Sequence, residues 1–168
     1  MAERDVVIER YRLTYEGLFN VLDLYTTMDE FFEDKGYDKR EKKNIEKVSP
    51  EGKYIEIHVE PWKKMTDYAK SVIGVRVVMS DIKEVEIEKD GVKVKLNQGK
   101  VQFVFDAWLE TDYEHRWEMK PMFFLVRTIF DKYFFKNYTI SFKNEVASDL
   151  NQLIVLMRSF LNLYRHQT

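Results

Sequence analysis

The sequence predicts an α+β domain, in which a strongly curved antiparallel sheet of about seven strands packs on a long C-terminal helix and one additional amphipathic helix accompanies it. Three observations lead there. Most of the first two thirds of the chain alternates apolar and polar residues with a period of two, the mark of half-buried strands. One segment near the start and two near the end instead place apolar residues at helical spacing. Finally, 168 residues with 45% apolar and 33% charged side chains suit one globular domain with its own core.

The first element, Asp5 to Leu13, sets Val6, Ile8, Arg10 and Arg12 on one side and Val7, Glu9, Tyr11 and Leu13 on the other, and reads as a strand. Thr14 is an N-cap candidate for a helix from about Tyr15 to Lys35, with Leu18, Val21, Leu22, Tyr25, Met28 and Phe32 on one stripe. Gly36 is placed to stop it. A short strand from Lys43 to Val48 and a turn at Ser49-Pro50-Glu51-Gly52 lead into Tyr54 to Glu60, with Ile55, Ile57 and Val59 inward. Pro61 to Lys64 breaks that strand. The next, Tyr68 to Met79, contains Gly74 as a place for a bend.

Lys83 to Glu88 and Val92 to Leu96 flank Asp90-Gly91, a pair that selects a two-residue hairpin turn. The implied register sets Glu88 opposite Lys93, Glu86 opposite Lys95, Ile87 opposite Val94 and Val85 opposite Leu96. Asn97-Gln98-Gly99 reads as another turn. From Val101 to Trp117 the alternation is long enough, roughly 55 Å if fully extended, to require curling or a bulge. Met122 to Lys136 then forms an amphipathic helix entered through Pro121, and Asn144 caps a last helix with the stripe Val146, Leu150, Leu153, Ile154, Met157, Leu161 and Tyr164.

This order of strand, helix, about six strands and terminal helix resembles the helix-grip fold of the START and Bet v 1-like superfamily. The resemblance implies an apolar cavity between the sheet and the terminal helix. Here nine of the 25 aromatic residues fall between Trp117 and Phe142, enough bulk to plug such a space.

Several chemistries lack their residues. There is no cysteine, which excludes disulfides, thiolate metal sites and cysteine nucleophiles. Phosphate-binding and dinucleotide glycine loops, HExxH and GxSxG are absent. A net charge of −2 supplies no global field for polyanions, although residues 118–168 carry seven Lys or Arg against four Asp or Glu. The charged start, the missing apolar run of membrane length and the lack of cysteine point to a cytoplasmic protein without a transmembrane segment, a cofactor or a nucleic-acid partner.

The remaining candidates each have a bland counterpart. His58 between Glu56 and Glu60 has ligand chemistry, yet alternate residues of one strand stand about 7 Å apart and read as a solvated face. Asp106, Glu110, Asp112 and Glu114 share the polar side of the long strand, where crowding raises carboxyl pKa values but solvation explains the pattern as well. His115 has no nucleophile or orienting partner in view, and His166 falls in the tail. The leading expectation is a non-enzymatic binder of a small apolar or lipid-like ligand, lined by Phe103, Phe105, Leu109 and Tyr113 opposite Ile154, Met157 and Leu161. The alternative is a homodimer or partner-docking module presenting Phe123, Phe130, Tyr133 and Phe134 on the 122–136 helix.

Overall fold

In the computed structural model, which describes residues 3–89, 91–111 and 136–165, the chain runs β1 (Glu3–Phe19), α1 (Val21–Asp34), β2 (Glu41–Ser49), β3 (Gly52–Val59), β4 (Trp62–Lys64), β5 (Ala69–Lys89), β6 (Val92–Thr111) and α2 (Lys136–Arg165). All strand pairings are antiparallel, in the order β1-β6-β5-β3-β2, with β4 also on β5. The sheet is open, with β1 and β2 at its edges. One face carries the core, and α2 packs there across β1, β6 and β5.

The described strands number six where the sequence suggested about seven, because segments read as separate are continuous. Tyr68–Met79 and Lys83–Glu88 join in β5 through a bulge between Ser80 and Lys83, where Asp81 takes a left-handed φ of 56° and Ile82 turns into the core. Gly99 lies opposite. A Cβ there would sit 2.6 Å from the Ile82 Cδ1 and 2.9 Å from the Ser80 carbonyl oxygen, so this glycine makes room for the bulge instead of turning the chain. Asn97-Gln98-Gly99 is accordingly an interior stretch of β6 paired to β1 and β5. The hairpin register at Glu88–Lys93, Ile87–Val94, Glu86–Lys95 and Val85–Leu96 is the expected one, although the Lys95 ion pair runs diagonally to Glu84 at 3.0 Å.

The strand–helix boundary also moves. β1 continues to Phe19, which is fully buried, and the cap is Asn20, whose side chain accepts from the amides of Leu22 and Asp23. Thr14 is therefore a strand residue, paired with Gln102. At the other end Gly36 stops α1 as anticipated, at φ 75°. The Gly36 amide donates to the Glu33 carbonyl and the Tyr37 amide to that of Phe32, a Schellman arrangement that also stacks Tyr37 edge-on against Phe32. Pro61 does break β3, yet Trp62–Lys64 resumes the ladder on β5 as β4.

α2 begins at Lys136, so Asn144 is an interior helical residue and not a cap. No glycine or proline interrupts residues 136–165, and the helix propagates back accordingly. Its stripe of Val146, Leu150, Leu153, Ile154, Met157 and Leu161 is buried as expected. None of the described helices is long and apolar enough to cross a membrane.

Candidate functional site

Period-two alternation brings Phe103 and Phe105 of β6 to the core face, where their rings stack in parallel at 5.5 Å between centroids. Together with Ile154, Met157 and Leu161 of α2 they belong to one contiguous apolar cluster. Leu109 is buried as well, but apart from that cluster. Tyr113 lies outside the described residues, as do Asp112, Glu114, His115, His166 and the proposed surface of Phe123, Phe130, Tyr133 and Phe134. The row of seven is thus assembled in large part as side chains packed on one another.

Two concavities adjoin α1. One, of about 160 Å³, lies between Tyr25, Met28 and Phe32 of the helix and Tyr37, Val59 and Pro61, with Asp29, Glu33 and Lys39 around it. At its rim the Lys39 ammonium sits 4.8 Å above the Tyr25 ring and 2.9 Å from Asp29. The hydroxyl of Tyr25 and the carboxylate of Asp29 hold the Lys39 pKa above the usual lysine value, the first contributing more. A second cleft, of about 380 Å³, opens at the N-terminal end of the helix, between Val21, Leu22 and Tyr25 and Ile55, Ile57 and Ile82 of the sheet, with Asn20, Asn44, Glu46, Lys53 and Asn97 around it. The helix rests on the core through Leu24, Met28 and Phe32.

A polar clasp closes the same region. Tyr37, carried inward by the turn after α1, donates its hydroxyl proton to Asp149 at 3.1 Å, and Lys35 reaches the other carboxylate oxygen at 3.3 Å and Gln152 at 2.8 Å. Asp149 is only 5% exposed, so both of its oxygens are matched inside the protein. Sequence reasoning passed over this residue; its signal was a carboxylate set within the apolar stripe of α2, between Val146 and Leu150. Burial first, and the adjacent Asp149 charge second, push the Tyr37 hydroxyl well above the ordinary tyrosine pKa.

The neutral phenol is therefore favoured in the folded state. Tyr37 adds full stability below its unfolded pKa of about 10, and this contribution declines by about 1.4 kcal/mol for each pH unit above it until the folded value is reached. We expect the urea midpoint of the wild type to fall more steeply than that of Tyr37→Phe between pH 10 and pH 11.5, and the tyrosinate absorbance of the two folded proteins to coincide there. Equal slopes would show that Tyr37 ionises in place.

The surface candidates are engaged in local pairs. Glu56 accepts from Lys43 at 2.7 Å, and this hydrogen bond, with help from Arg76, holds its pKa below the usual carboxylate value. Glu60 pairs with Lys42 at 3.3 Å, with the His58 Nε2 3.7 Å away. Among the described residues no three acidic or histidine groups stand together in a way that would hold a metal ion. Asp106 accepts the backbone N–H of Arg10 at 2.8 Å, and Glu110 pairs with Lys70 at 3.3 Å, so the two described members of the carboxylate row serve the sheet. Comparison with protein-family models, curated proteins and solved structures finds no significant match.

Proposed function

We propose that this chain is a non-enzymatic binding domain of helix-grip type that takes a compact apolar or lipid-like ligand beneath α1. The observation that carries this reading is the cleft along that helix lined by Met28, Phe32, Val59 and Pro61, above a core continuous with Phe103, Phe105, Ile154, Met157 and Leu161. The placement of β1 beside the last strand, with the terminal helix laid across both, supports the helix-grip comparison. A space of 160 Å³ matches the roughly 150 Å³ that suffices for a benzene-sized guest in an apolar cavity. Burying about 100 Å² of such a guest contributes about 2.5 kcal/mol. Lys39 at the rim suits a ligand with one polar end.

The test has two arms. Native mass spectrometry of protein isolated from its own cells is expected to show a bound mass that solvent extraction removes. Calorimetric titration with indole is expected to saturate, and Met28→Phe, which fills the smaller cleft, to weaken it about tenfold. A clean apo mass together with no saturation, or equal binding by the variant, would overturn the reading. A second reading, a homodimer or partner-docking module, is favoured by Tyr138, Ile140, Val155 and Leu163, which stand exposed on α2. A concentration-dependent mass by light scattering would support it.

A further inference from the structure

The face of the sheet turned away from the core holds a groove of about 560 Å³ that crosses β1, β6, β5 and β3. Arg4, Arg10 and Arg12 enter it from β1, Arg76 from β5 and His58 from β3, and Trp108 lies along its lining. Strand register explains the convergence. Arg12 stands opposite Val104, Val104 opposite Arg76, and Arg76 opposite His58, in one row across four strands. With strands about 4.8 Å apart, the Arg12 and Arg76 backbones are roughly 10 Å from each other, within reach of one small anion for two guanidinium arms.

The groove holds the four arginines Arg4, Arg10, Arg12 and Arg76 against the three acids Glu9, Glu60 and Asp106, which leaves an excess of positive charge. Asp106 accepts from the Arg10 amide and keeps its charge, and Glu60 pairs with Lys42. Among the described residues Glu9 approaches Arg10, at 4.0 Å. Arg76 is 54% exposed and stands 4.0 Å from Glu56, whose carboxylate Lys43 already holds at 2.7 Å. Arg12 has no carboxylate partner among the described residues.

An independent feature lies in the same groove. Trp108 is 5% exposed beneath the Arg4 guanidinium, 4.3 Å from its ring, and its buried indole N–H has no acceptor among the described residues. Such orphaned donors are rare in native proteins and call for a partner. Gly74 makes the seat, since a Cβ there would meet the indole at 3.0 Å.

We propose that this groove binds a small phosphate-bearing ligand, gripped by Arg12 and Arg76 beside the Trp108 indole. Fixed guanidinium forks match phosphate oxygens in pairs. A small molecule is favoured over a nucleic-acid strand because the Lys43–Glu56 and Lys70–Glu110 pairs interrupt the basic strip along the same face. This site is separate from the clefts beside α1 and stands whether or not an apolar ligand binds there.

The probe is inorganic pyrophosphate, titrated calorimetrically into the full chain at low salt, with citrate and a ten-nucleotide single strand in parallel. One-to-one binding is expected, with Arg12→Gln and Arg76→Gln each weakening it at least about tenfold and Lys95→Gln, on the distant hairpin, changing it less than about twofold. Circular dichroism verifies that the variants fold. Absence of saturation by about 10 mM pyrophosphate, or equal affinity in both arginine variants, would overturn the proposal. Tighter binding of citrate would overturn the phosphate assignment, and tighter binding of the oligonucleotide would overturn the small-ligand one.

Discussion

Phe105→Ala is expected to lower the stability of this protein by about 3–5 kcal/mol, a large share of the 5–15 kcal/mol that holds a typical domain together. Phe105 is completely buried, lies flat on Phe103, and meets Tyr11 of β1 at 6.4 Å on the other side. Cutting the ring away leaves a void that β6 is too constrained to fill, because that strand is fixed in register on both sides, by β1 and by β5. At about 2–4 °C per kcal/mol for a chain of this length, the melting temperature should fall by about 6–20 °C. Urea denaturation would show the midpoint dropping with an unchanged slope. The size of the loss also reports on the interior. A ring that merely lined a solvent-filled chamber would lose few packing contacts, and a cost near 1 kcal/mol would identify that case.

Asp149→Ala is the second large effect, at about 2–4 kcal/mol. The variant deprives the buried Tyr37 hydroxyl of its acceptor and Lys35 of its counter-charge. Lys35 is 31% exposed on its side chain and can rehydrate, so most of the loss falls on Tyr37 and on the space beside Val146 and Leu150. Asp149→Asn keeps an oxygen for Tyr37 and forfeits only the partly solvated ion pair, for which about 1 kcal/mol is expected. The two variants should differ in one further respect. Amide hydrogen exchange should accelerate in α1 and the Gly36 turn in the alanine variant, because the clasp ties that segment to α2, while β5 and β6 keep their relative protection. Uniform acceleration across the chain, or equal losses in the two variants, would disprove this account.

The sequence announced its strands wherever one face alone met the core. Phe103, Phe105 and Ala107 alternate with Gln102, Val104 and Asp106, and the Asp90-Gly91 pair pins a hairpin whose register follows without ambiguity. Boundaries were harder where two periods overlap. Leu13, Tyr15 and Phe19 continue the strand alternation while Leu18, Val21, Leu22 and Tyr25 begin a helical stripe, and only the pairing of β1 with a segment far along the chain decides where one gives way to the other. Bulges were equally hidden. The register shifts between Val6 and Tyr11 add two residues to β1 relative to β6, so Val6 faces away from the core beside Trp108 while Val7 and Ile8 both touch it. The sequence had set Val6 and Ile8 on one side.

The sites show the same division. The apolar row on β6 and α2 was readable from periodicity, but whether its members enclose a space depends on how closely α2 settles on the sheet. The smaller cleft beside α1 depends on the turn at Gly36, which brings Tyr37 into its lining. The arginine groove was out of reach for another reason. Arg12, Arg76 and His58 come from three strands, and nothing local says that Val104 stands between the first two.

One consequence of the strand order concerns how the chain acquires its shape. β2, β3 and β5 pair with near neighbours and can zip up as they are made, whereas β1 finds its partner only when β6 arrives, from Phe19–Asn97 to Glu3–Thr111. Until then β1 is a bare edge carrying half-buried Tyr11, Leu13 and Tyr15. Joining that seam bears the largest loop-closure entropy among the described strand pairings, which grows as about (3/2)RT ln n, and it places the protein among the slow-folding topologies. It also makes nascent chains that end before β6 the form of this protein most in need of a chaperone.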